Sequence, residues 1–204
     1  PKVAQTFFNL VMDATKNQLN TLHSIGDTGA GVASPLRFYN GVVTQFQTDA
    51  DATEIGTPAV LTGANILARV YELRNAVPPR LRTNASLKIF CSWADFDLYD
   101  VARRQSQTQL AETDIEGSGV LRQSNGSRIN LIPIEGIPKD LMFATIADTS
   151  AKSNLVQAVW MLEDLEALKV YKSEEADQEI KYVMRFDLGV NYVTGKDIFY
   201  IDKV

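Results

Sequence analysis

Apolar residues recur every three or four positions at the start of the chain, at Val3, Phe7, Leu10, Val11 and Ala14, and Leu22 extends the stripe. One apolar face with that period predicts an amphipathic helix over residues 3–24. Gly26, Gly29, Gly31 and Pro35 stop it and form a flexible connection to a strand predicted at 41–46. Residues 48–58, rich in Thr, Asp and Ala, read as an exposed turn. A second helix starts near Thr62 as its N-cap and carries Ile66, Leu67, Val70, Tyr71 and Leu73. It stops at Pro78-Pro79, which cannot continue it. The run Leu87-Lys88-Ile89-Phe90-Cys91 reads as a buried strand. Ser92 with Asp95 three residues later has capping-box spacing and opens a third helix through Phe96, Leu98, Tyr99 and Ala102.

The pattern then breaks. Residues 105–128 are dominated by Gln, Ser, Thr, Gly and Asn, which supply no core, and a connection of that length is usually functional or mobile. Strands are predicted at 129–134 and 141–147 around the Gly136-Ile137-Pro138 turn. Residues 155–170 fit both periods, since Val156, Val159, Trp160 and Leu162 suit a helix and Val156, Ala158, Trp160 and Leu162 suit a strand. Ile180, Tyr182, Met184, Phe186, Leu188, Val190 and Tyr192 alternate strictly, and a further strand at 197–201 follows Thr194-Gly195. This predicts a long hairpin with one buried face. Helices mixed with mostly antiparallel strands, without an internal repeat, define an α+β class.

Composition narrows the function classes. The 204 residues include one cysteine, Cys91, and one histidine, His23, so an intrachain disulfide and a Cys/His zinc cluster are both excluded. With 20 basic against 25 acidic side chains the net charge is -5, which argues against a protein that grips nucleic acid along a basic stripe. No apolar stretch approaches the ~20 residues of a membrane span. The chain starts at Pro1, inside a helical pattern and without a methionine, so an upstream part of the gene product is expected.

Four constellations carry the letters of chemistry without its setting. Asp27-Thr28-Gly29-Ala30, echoed by Asp148-Thr149-Ser150, matches an aspartic-protease turn, but Asp27 follows a helix and a glycine where such enzymes have an apolar strand. The glycines of 26–31 lack the strand, the helix and the Lys-Ser/Thr pair of a phosphate cradle. Cys91 with His23 as its base reads better as an inert core thiol and a histidine that caps carbonyls or faces water. Glu163, Asp164, Glu166, Glu174, Glu175, Asp177 and Glu179 lack calcium-loop spacing and read as solvated turns. No catalytic, cofactor-binding or metal site is expected.

The order of features resembles the tailed-bacteriophage major capsid family, whose fold herpesvirus floors and encapsulin shells share. Residues 3–31 look like the end of a spine helix and the glycine turn behind it. The helix of 64–77, the strand Leu87–Cys91 and the helix through Tyr99 resemble the next segment of that family. Residues 129–134 and 136–145 look like its two strands joined by a proline turn. Ser153-Asn154-Leu155-Val156 resembles the start of its final β-rich stretch, and 185–192 with 198–200 its closing hairpin. The resemblance implies a spine helix at 1–24, an axial domain at 25–161 and peripheral-domain strands at 162–204, and it favours strands at 155–170. It further implies a virion shell subunit, not an enzyme, that forms pentamers and hexamers with scaffolding and portal proteins. Such a shell encloses double-stranded DNA without reading its sequence and has no membrane partner. The family's N-terminal arm and extended loop have no counterpart here. Subunit contacts are expected in the 105–128 loop, where Glu112, Glu116, Arg122 and Arg128 could pair across a ring. An encapsulin-type compartment shell is the nearest alternative, and an aspartic-protease-like enzyme using Asp27 the alternative of another class, beside a plain ligand-binding α+β domain.

Overall fold

The computed structural model describes residues 2–57, 59–106, 120–122, 128–150, 152–159, 168–172, 180–184 and 188–203. The fold is α+β. The first helix, α1 (Lys2–Ile25), spans 24 residues. It ends where the Gly26 N–H bonds the Leu22 carbonyl, and the following loop returns to it through Gly41 N–H on the Gly26 carbonyl at 2.8 Å. A Cβ on Gly41 would lie 2.5 Å from the Ser24 carbonyl carbon and oxygen, so only glycine lets α1 and the next element approach this closely.

That next element overturns the strand predicted at 41–46. It is a helix, α2 (Val42–Thr48), whose two fully buried positions, Val43 and Phe46, lie three apart on one face, with Val42 partly buried beside the same core. The 48–58 turn contains a two-residue exposed strand, β1 (Thr53–Glu54). Helix α3 (Ile66–Ala76) starts later than Thr62: the capping position is Asn65, whose side chain closes the turn before it by accepting the Thr62 N–H and donating to the Val60 carbonyl. Arg82, at the end of the one-turn helix α4 (Pro79–Arg82), donates to the Val77 and Asn75 carbonyls at the far end of α3. Strand β2 (Leu87–Cys91) and helix α5 (Trp93–Ser106) follow as expected.

Within the 105–128 stretch, residues 120–122 form strand β3 (Val120–Arg122), paired antiparallel with β4 (Arg128–Pro133). Strand β5 (Met142–Ile146) comes next, and the chain closes with β10 (Phe199–Ile201). Together they form a six-stranded sheet in the order β1-β10-β5-β2-β4-β3. Its central strands are buried on both faces, which is why they read as continuous apolar runs. Leu87, Ile89 and Cys91 of β2, Met142 and Ala144 of β5, and Phe199 and Ile201 of β10 point to a core under α3 and α5. Phe90, Phe143 and Tyr200, between them in sequence, point to a second core under α2. There the Phe46 ring stands 5.2 Å from Phe143 and 5.0 Å from Tyr200.

Residues 155–159 and 168–172 are strands, β6 (Leu155–Val159) and β7 (Leu168–Lys172), as the resemblance implied. The later alternation divides into β8 (Ile180–Met184) and β9 (Leu188–Tyr192). The predicted pairing of that stretch with 197–201 does not occur. Strand β9 pairs with β6 from Leu155↔Tyr192 to Val159↔Leu188, and β8 pairs with β7 from Leu168↔Met184 to Lys172↔Ile180. The hairpin is therefore folded back one step earlier in the chain. A 3-10 turn, Gly195–Asp197, replaces the tight turn and sends β10 into the six-stranded sheet between β1 and β5. Strand pairing thus groups β6 with β9, and β10 with the sheet, across the boundary expected at 161.

Candidate functional site

The β6–β9 ladder leaves the sheet at one residue. Asn154, 5% exposed, donates from Nδ2 to Thr145 Oγ1 at 2.9 Å and to the Thr194 carbonyl at 3.0 Å, and its Oδ1 accepts the Thr194 N–H at 2.9 Å. Its backbone N–H bonds the Ile146 carbonyl and its carbonyl accepts the Val193 N–H. One side chain thereby binds the end of β5, the start of β6 and the exit from β9, using both amide donors.

A second set of contacts joins the ladder to α2. Gln45 Nε2 donates to the Val190 carbonyl at 2.8 Å, and the Tyr192 hydroxyl donates to the Asp49 carboxylate at 2.7 Å. The Asp51 N–H, and then the Tyr192 hydroxyl, hold the Asp49 carboxyl below the usual carboxylate range. Burial first, then the Asp49 carboxylate, pushes Tyr192 up, so the proton stays on the phenol. Gly195 backs this pair, and an added Cβ there would collide with Asp49 Oδ2. Between α1, α2 and the ladder lies an open groove of about 290 Å³ lined mainly by Val42, Val43, Ile137, Phe143, Leu155 and Val190.

A third cluster sits at the start of α5. The Ser92 Oγ accepts the Asp95 N–H at 3.1 Å and donates to Asp95 Oδ2 at 2.7 Å, and the same oxygen accepts the Asp140 N–H at 3.0 Å. This is the expected capping box with one difference: Asp95 turns inward to the turn before β5. Asp140, at φ 69, is held there because its Oδ1 accepts the Leu61 N–H at 2.8 Å. Asp95 is fully buried and its Oδ1 has no partner, so burial raises its pKa against the opposing hydrogen bonds from Ser92 and Asp140.

The sequence-predicted candidates fall as follows. Asp27 is exposed and its Oδ1 accepts the Gly29 N–H at 2.7 Å in a local turn. Asp148 is held below the usual range by the Thr149 N–H, Ser86 and Ser150. Cys91 is buried and its thiol is pushed up to about 12, by burial and then by Asp95, so it is not a thiolate nucleophile. His23 does not cap carbonyls; it is partly exposed, on the wall of the open groove. Its ring lies 5.8 Å from Tyr39 with Nε2 buried and unpartnered, and burial lowers its pKa.

Glu112 and Glu116 lie outside the described residues, as do Glu163, Asp164, Glu166, Glu174, Glu175, Asp177 and Glu179. Arg122 and Arg128 occupy facing register positions on β3 and β4. Among the described residues no group of three or more His, Cys, Asp or Glu could hold a metal ion, and no helix is long and apolar enough to cross a membrane.

No protein-family model matches the sequence, and no curated protein does. The fold, however, is similar to that of a chain in the structure of the satellite phage P4 procapsid including the size determination (Sid) protein. That likeness has a TM-score of 0.60 at 10% identity and covers 100% of this chain and 68% of that one. A virus-like particle from Pyrococcus furiosus shares a TM-score of 0.44 at 8% identity, over 79% of this chain and 60% of that one.

Proposed function

We propose that this chain is the structural subunit of an icosahedral phage or prophage capsid, self-assembling into pentamers and hexamers that enclose double-stranded DNA. The observation that carries the reading is the fold shared along the whole chain with a procapsid chain. The described chemistry is consistent with it: the buried polar groups at Asn154 and Ser92 join strands and helices to one another. In this reading the six-stranded sheet with its helices is the axial domain, and α1 with the β6–β9 and β7–β8 ladders is peripheral. Weak contacts repeated by symmetry supply the affinity, so many interfaces act at once. Scaffolding and portal proteins are the expected partners, the virion shell is the location, and Glu112, Glu116, Arg122 and Arg128 belong to subunit contacts around the ring.

The test is negative-stain electron microscopy of the gene product, with any residues encoded before Pro1, beside this chain. Closed shells, sheets, or rings of five and six are expected, with nuclease-protected double-stranded DNA in shells recovered from phage. Dispersed monomers at high concentration with scaffolding protein supplied would overturn the reading, and closed shells that hold protein cargo in place of DNA would replace it with a compartment.

A further inference from the structure

Among the described residues, every strand at a sheet edge except one is blunted. An edge strand exposes unpaired backbone groups, and a short length, a charged side chain or a covering element keeps other chains off it. Strand β1 is two residues long and carries Glu54, β3 ends on Arg122, β7 carries Lys169 and Lys172, and β8 carries Lys181. Strand β9 is covered by α2, since Gln45 Nε2 donates to the Val190 carbonyl, and its Tyr192 N–H is taken by Asn191 Oδ1. Strand β6, Leu-Val-Gln-Ala-Val, has no charge and no proline, and its Val156, Gln157 and Ala158 are exposed. It also belongs to a ladder of two strands, which is marginal in water without a third.

The hydrogen bonds fix which groups of this edge are open. The Val193 N–H bonds the Asn154 carbonyl, so Val156 and Ala158, alternate residues from there, turn their backbone groups to β9, while Leu155, Gln157 and Val159 turn theirs outward. The Ser153 hydroxyl closes the first of these: its Oγ accepts the Leu155 N–H at 3.2 Å and donates to the Leu155 carbonyl at 2.9 Å. Among the described residues none takes the outward groups of Gln157 and Val159.

We propose that β6 pairs antiparallel with the β6 of a second copy, about a two-fold axis at Ala158. In that register Gln157 of each copy lies opposite Val159 of the other, so every open N–H meets an open carbonyl and Leu155 stays on Ser153. Ala158 faces its own counterpart where the strands come closest, which its small methyl group allows. A charged partner would find no opposite charge along β6, whereas a second neutral Leu-Val-Gln-Ala-Val strand sets no like charges against it. The exposed Val156 lies diagonally across from Ala158 of the second copy and loses contact with water. The contact is isologous, so it closes as a pair. On the shell reading above, on which this use rests, it joins one ring of subunits to the next, because the rings themselves are built from head-to-tail contacts.

Disulfide trapping tests the pairing on this chain, because Cys91 is buried with its thiol pushed up to about 12 and does not compete. Ala158→Cys places two thiols across the axis at a Cα separation of about 4.5 Å, inside the disulfide range. It should form a covalent dimer about tenfold faster than Lys152→Cys, an exposed position outside the strand, and faster than Gln157→Cys, which lies diagonal to its own counterpart. Equal rates for Ala158→Cys and Lys152→Cys overturn the pairing, and a faster rate for Gln157→Cys overturns its register. Ala158→Lys sets like charges directly opposite each other at an exposed position, so the variant should sediment as a monomer where the parent forms a dimer, at a parental melting temperature. The same distribution for both overturns the pairing. Electron microscopy of Ala158→Lys tests the use in shells: separate rings support it and closed shells overturn it. Should the unmodified gene product form no assemblies, the shell reading fails and trapping alone decides the pairing.

Discussion

Asp95 tests whether the polar network at the start of α5 is held together as a neutral acid. Its carboxyl is fully buried, one oxygen takes two hydrogen bonds and the other takes none. Burial raises its pKa in the folded chain, and the nearby Asp140 adds to the rise while Lys139 opposes it. The sign follows from proton binding. Between the unfolded value, about 3.9, and the higher folded value, the folded chain holds the proton and the unfolded chain has released it. Stability therefore falls as pH rises through that window, by up to about 1.4 kcal/mol per pH unit. The loss is complete above the folded pKa. Asp95→Asn keeps the shape and one acceptor but cannot ionise. It also leaves amide protons in a site with no acceptor for them, a cost of roughly 1–3 kcal/mol that does not vary with pH. Urea denaturation of both proteins at intervals from pH 4 to 8 separates the two effects, because carboxylates common to both cancel in the difference. The variant should gain on the parent as pH rises and then level off. A difference that is flat across the range, or that runs the other way, would refute the neutral acid.

Three further outcomes are expected. Asn154→Ala should cost roughly 3 kcal/mol, because the Thr194 N–H and carbonyl and the Thr145 hydroxyl lose their partner together; urea titration with no shift in midpoint would contradict this. Gly41→Ala should cost about 3 kcal/mol or more, since its Cβ would meet Ser24 backbone atoms at 2.5 Å that cannot move without shifting α1; a parental melting temperature would show the approach to be looser than described. Cys91, with its thiol pushed up to about 12, should resist a disulfide reagent at pH 8 until denaturant is added, and labelling of the native chain would count against its burial.

Most of the core was readable because its signals are local. The run from Leu87 to Cys91, the Ser92–Asp95 spacing and the Pro78-Pro79 stop each specify an element within a few residues. Helix α2 was misread because Val-Val-Thr-Gln-Phe-Gln-Thr is rich in residues that favour strands; only the Val43–Phe46 spacing favours a helix, and packing under the aromatic cluster decides it. The junction was invisible for a different reason. Tyr192 and Asp49 are 143 positions apart, and Gln45 and Val190 are 145 apart, so no window along the chain contains either pair. Asn154 was noticed only as part of a resemblance, since a single asparagine before a strand carries no spacing signal. Strand alternation correctly marked 180–192 but is blind to partners, and so the last strand was paired with the wrong neighbour.

The position of β10 has a consequence for how the chain is made. It sits between β1 and β5, so β1 has no partner in the sheet, and β5 is paired only on its β2 side, until residue 199 has been added, 53 positions after β5 ends at Ile146. A ribosome adding roughly 5–20 residues per second takes about 3–10 s to cover that distance. Throughout that interval the backbone edge of Met142, Phe143 and Ala144 is open to any other strand. Where many ribosomes translate the same message side by side, nascent chains expose the same edge at close range, and slower translation over 147–198 should lower the yield of native protein more than slower translation before β5.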